Sequence, residues 1–147
     1  MKTKALLIVT AAAESGTGVA LLVAPSLVTA LLLGARLDSP TATVVARIAG
    51  AALFSIGLTC WLVRKSPEGD GHAGRVVGLL VYNVAVAALL VFATVAEHLH
   101  GIALWPAVAF HASLSIWCGV SLGAKSGDAP LPHRGMPAYA PGRGTRP

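Results

Sequence analysis

Four stretches of about twenty residues in this chain carry almost no charge, and they dictate its solvent before anything else is considered. They run from about residue 5 to 24, 41 to 63, 76 to 96 and 102 to 123. At 1.5 Å rise per residue, a helix of about twenty residues crosses a hydrocarbon layer of about 30 Å. Backbone amides inside lipid must be satisfied within their own segment, so each stretch is expected to be a helix. The predicted fold class is therefore all-α, a four-helix transmembrane bundle.

Composition agrees. The 147 residues are 55% hydrophobic and 12% charged, with mean hydropathy +0.74 and only 5% aromatic residues. A soluble domain of this size is about one quarter charged. Apolar surface built mostly from Ala, Val, Leu and Gly suits helices that approach closely through small side chains. Gly16 with Ala20 and Ala46 with Gly50 have the small-x-x-x-small spacing of such contacts.

Local signals set the breaks. Pro25 interrupts the first apolar run, and Ser26–Leu33 continues as a shorter piece closed by Gly34, read as a short interfacial helix after span one. One long Pro-kinked helix is the competing reading. Asp38-Ser39-Pro40-Thr41 is a helix start with Asp38 or Ser39 as cap. Arg64-Lys65 ends span two, Ser66–Gly71 is turn chemistry, and Glu97–Gly101 ends span three. From residue 126 to 147 the chain is rich in Gly, Pro and Arg, which predicts a disordered cytoplasmic tail. The start, Met1-Lys-Thr-Lys4 and an apolar run, resembles a secretory signal peptide, but the run continues well past Glu14, so it reads as a retained span.

Positive charge orients the bundle. Lys2, Lys4, Arg64, Lys65, Arg75 and Lys125 fall on one side, with Arg134, Arg143 and Arg146 in the tail, while the other side has Arg36 alone. The expectation is a multi-pass inner-membrane protein with both termini cytoplasmic. The formal net charge of +5 then sets topology and is not a nucleic-acid footprint. The expected partners are the lipid bilayer and a second copy or a larger membrane complex.

Ionisable and polar groups within spans are costly, so each should face the bundle and find a partner. Counting along the helices places Glu14 about 15 Å deep, Asn83 at similar depth, Arg47 about 9 Å and His111 about 14 Å from the opposite side. One polar residue from each span thus enters a shared layer. Small or polar neighbours lie on the same faces: Thr10, Thr17 and Gly18; Gly50, Ala51 and Phe54; Ala87 and Thr94; Ser115 and Cys118. One reading makes the layer glue, a Glu14–Arg47 ion pair with Asn83 and His111 around it. The other makes it a ligand-binding pocket in which Glu14 and His111 bind or relay protons.

Other chemistry is thinner. Glu97, His98 and His100 form a candidate zinc or copper site, although polar residues are also what an interfacial loop requires. No two histidines face each other at one depth, as a bis-histidine haem needs. Cys60 and Cys118 lie at similar depth beside Trp61 and Trp117, and read as small packing residues next to interfacial anchors. There is no phosphate-cradling loop, nucleophile elbow or zinc-helix motif. No cofactor and no catalytic residue are assigned.

The succession Glu14-x-x-x-Gly18, Leu21–Pro25, Leu31–Gly34, Arg47-x-x-Gly50 and Trp61 resembles small bacterial four-helix membrane proteins of the DoxX-like kind, over roughly residues 5–124. The resemblance implies a four-span bundle, in some members linked to membrane redox or quinone systems, and it assigns no catalytic residue. Together these readings favour a non-enzymatic accessory or small-ligand-binding membrane subunit. A quinone-linked redox component and a small-molecule or proton-coupled transporter are the alternatives.

Overall fold

In the computed structural model, which describes residues 2–65 and 71–126, five helices follow one another: α1 (Lys2–Val23), α2 (Pro25–Leu33), α3 (Pro40–Val63), α4 (His72–Val95) and α5 (Leu104–Ser126). Helices α1, α3, α4 and α5 are each long and apolar enough to cross a membrane. The chain is an all-α four-helix bundle with one short additional helix. The segment expected to form the tail, from 127 onward, lies outside the described residues.

Helix boundaries follow local chemistry. Ala24 leaves helical geometry at φ −134° and ψ 60°, and Pro25, with no N–H to lose, opens α2 at its first turn. Of the two readings of this region, a separate helix and a kinked continuation, the break at Ala24 gives the first. Gly34 closes α2 at φ +77°, and any side chain there would press on the His100 carbonyl oxygen, 2.7 Å from where a Cβ would stand. Ser39 caps α3 by accepting from the Ala42 amide at 3.1 Å, so Ser39 and not Asp38 is the cap. α4 begins four residues earlier than the expected span, and α5 starts at Leu104 after a turn at 102–103.

The helices pack as two close pairs, α1 with α3 and α4 with α5, and the pairs meet much more loosely. The α1/α3 seam is built on small residues. A Cβ on Gly18 would lie 2.6 Å from the Phe54 nitrogen, and one on Gly50 would lie 2.8 Å from the Gly18 carbonyl oxygen. Gly57 lies against Ser15 and the Ala11 carbonyl. Backbones so close gain dispersion contacts where lipid offers no hydrophobic drive to associate. Gly16, half of an expected small-residue pair, faces open space and takes no part in this seam.

Near the N-terminal end of the bundle a buried apolar cluster, including Leu6, Leu7, Val76, Leu79 and Leu114, joins the two pairs. Cys60 and Cys118 are both buried in it as free thiols, which is the packing role expected of them. The outward faces carry exposed apolar side chains such as Val45, Leu62, Leu89 and Ile116, as a lipid-facing surface requires. At the end of α3, Arg64 folds back over the Trp61 ring, 3.4 Å from its centroid, and donates to the Trp61 carbonyl. This pairing keeps the guanidinium beside an amphipathic ring at the span's end.

Candidate functional site

The loose meeting of the two helix pairs leaves a chamber of about 660 Å³ in the half of the bundle away from the N-terminus. Most of its wall is apolar, with Leu21, Leu32, Leu53, Val86 and Leu90 among the lining residues. Its polar groups are Glu14 and Thr17 of α1, Thr29 of α2, Tyr82 of α4 and His111 of α5.

Helix α2 and the segment before α5 close one end. The Ala103 amide donates to the Leu31 carbonyl at 2.8 Å, and Gly101 packs directly on the Leu31–Leu32 backbone. Thr29 turns its hydroxyl back to the carbonyls of Pro25 and Ser26, both at 3.2 Å, and so satisfies itself within its own helix. The lid is therefore largely apolar on its chamber side.

Glu14 is 3% exposed, and the Tyr82 hydroxyl donates to its Oε2 at 2.8 Å. Asn83, fully buried, donates from Nδ2 to the Leu79 carbonyl at 2.7 Å. That orientation leaves Asn83 Oδ1 as an acceptor facing His111 Nδ1, 2.8 Å away. An amide oxygen cannot donate, so the network assigns the hydrogen to His111 Nδ1 and leaves Nε2 as the second polar atom of the ring. The His111 ring also stands edge-on to Tyr82 and Phe110, with centroids 6.0 and 5.5 Å apart.

Three of the four expected layer residues, Glu14, Asn83 and His111, thus belong to one region, and Arg47 does not. Arg47 is exposed and borders a separate outer pocket with Arg36, Thr43 and the segment around Pro25. The reason is the register of the α1/α3 seam. Gly50 lies opposite Gly18 and Leu22, and Gly57 opposite Ala11 and Ser15. In this antiparallel register Arg47 stands level with the end of α1, about nine residues or about 14 Å along the axis from Glu14. Depth counted separately along each helix missed the offset.

Tyr82 was not anticipated. The available signal was its place in mid-span, since tyrosines of membrane helices concentrate at the interfaces. It also forms part of the wall of a second cavity of about 380 Å³, nearer the N-terminal end, bordered by Leu7, Ile56, Thr59 and Arg75.

The expected metal ligands do not converge. Glu97, His98 and His100 are all exposed at the end of α4, with His98 at φ +54°, and among the described residues no group of three His, Cys, Asp or Glu side chains is placed to hold an ion. Thr10, one turn before Glu14, is fully buried with its hydroxyl unpartnered, as is the hydroxyl of Ser121. Against models of protein families, curated proteins and solved structures, the chain has no match.

Proposed function

We propose that this multi-pass membrane protein is a non-enzymatic binding subunit that holds a small, largely apolar ligand in the chamber between its helix pairs. The observation that carries this reading is the chamber itself: about 660 Å³ with an apolar wall and a few convergent polar groups, Glu14, Tyr82 and His111, on one side. That volume and that lining are typical of small-molecule sites, where apolar surface supplies affinity and a few polar groups fix orientation. Buried glue would fill its own space, and here the polar groups border an open volume.

The basic residues Lys4, Arg64, Lys65 and Arg75 at the N-terminal end support an orientation with that end in the cytoplasm. The DoxX-like resemblance agrees with a bacterial inner membrane as the location. The test is native mass spectrometry of the protein released from lipid nanodiscs. A retained non-lipid mass is expected on the wild type. It should disappear from an Ala107→Trp variant, whose new ring fills the chamber, while helicity and elution volume stay unchanged. Identical spectra from the two proteins would refute the reading.

A further inference from the structure

Glu14 is the one acidic residue within the four membrane-spanning helices. It borders the chamber, is 3% exposed, and receives a hydrogen bond from Tyr82 alone among the described side chains. Arg47, the cation expected beside it, stands about 14 Å away along the bundle. A carboxylate this deep in a low-dielectric wall must be neutralised, either by its own proton or by a positive charge brought to it. Among the described residues, none that lines the chamber carries a fixed positive charge. Tyr82 faces it from α4, His111 borders the same chamber from α5, Cys60 is the titratable group nearby on α3, and α2 has no titratable residue.

The remainder of the chamber fits a charged guest with a greasy body. The rings of Tyr82, Phe110 and His111 border the same region as Glu14, and aromatic faces attract cations most strongly where water is excluded. The leucines and valines beyond them offer apolar contact but no second acceptor of comparable strength.

Building on the chamber reading, we propose that the ligands are lipophilic monocations, of the quaternary ammonium or phosphonium type, taken up in exchange for the proton of Glu14. As the cation enters, the Glu14 carboxylic acid releases its proton to water and the carboxylate remains paired with the cation. One proton leaves for each cation bound, no covalent bond to the ligand forms, and the charge of the chamber is unchanged. Tyr82 donates to Glu14 in either state, so the exchange needs no rearrangement of α4.

The test uses two probes of nearly equal shape, methyltriphenylphosphonium and neutral triphenylphosphine oxide, titrated calorimetrically into the full chain in phosphatidylcholine nanodiscs. Titrations in phosphate and in Tris at one pH count the protons released. The expected result is cation binding with about one proton released, weakening about tenfold per unit of pH lowered in the range where Glu14 is protonated. Glu14→Gln should abolish proton release and lower cation affinity by about tenfold or more, yet bind the phosphine oxide as the wild type does. Glu14→Asp, which keeps the charge, should retain exchange. Cation binding without proton release, or undiminished in Glu14→Gln, overturns the exchange. Binding of the phosphine oxide alone overturns the cation proposal and leaves the chamber reading standing. Binding of neither probe overturns both.

Discussion

The Tyr82 hydroxyl, 2.8 Å from Glu14 Oε2, makes the one side-chain hydrogen bond among the described residues that joins the α1/α3 pair to the α4/α5 pair. Its partners lie on helices that barely touch elsewhere at this level, so the bond fixes the spacing of the pairs beside the chamber. Tyr82→Phe keeps the ring and removes the donor. We expect a loss of about 0.6–1.5 kcal/mol, the range of single hydrogen bonds in membrane and soluble proteins. Reversible unfolding in mixed micelles measures it, and an unchanged midpoint would show that the bond contributes nothing.

The α1/α3 seam gives a sharper contrast. Gly57→Val drives a branched side chain into Ser15 and the Ala11 carbonyl, which sit on helix backbone and cannot step aside. Destabilisation of about 3 kcal/mol or more is expected, visible as loss of monodisperse protein. Gly119→Ala meets nothing within 4 Å and should stay within about 0.5 kcal/mol of wild type. Equal tolerance of both would mean that this seam does not hold the pair together.

Arg47→Leu separates the two readings of the polar layer directly. The side chain is exposed and distant from Glu14, so its removal should alter stability by no more than about 0.5 kcal/mol. A loss of about 3 kcal/mol, as for a broken buried ion pair, would restore the pairing that the register excludes.

Asn83 joins two further hydrogen bonds, one to Leu79 and one to His111. Asn83→Leu removes the donor to Leu79 and the acceptor for His111 together, and should cost about 1–3 kcal/mol. Adding His111→Leu should cost less than its own single substitution, because the ring has already lost its partner. A double-mutant cycle reports that coupling, and strict additivity would argue that the 2.8 Å contact carries no energy.

How much of this was legible beforehand depends on what each residue answers to. The four spans were readable because lipid imposes length and apolarity on a helix regardless of its neighbours, and Ser39 and Gly34 mark their helix ends through local backbone chemistry. Glu14, Asn83 and His111 were readable because a polar group in a span must turn inward. Arg47 broke that rule, since a long side chain on the shoulder of α3 reaches an outer pocket bordered by the Pro25 turn instead of the bundle axis. Its partner could not be read from depth along one helix, because the axial offset of α1 against α3 is set by where three glycines dock. Tyr82 was missed for a related reason: a phenol beside Asn83 looks like bulk until the loose gap between the helix pairs is known.

That gap gives Tyr82 a further consequence. The same side chain walls the chamber on one side and the smaller cavity on the other. The ring is therefore a partition shared by two cavities, one beside α2 and one nearer the N-terminal end of the bundle. Tyr82→Ala is expected to remove that partition and merge the two cavities into one larger volume, which accommodation of a bulkier guest would report. On the binding reading proposed above, how firmly a guest is held then turns on a single phenol.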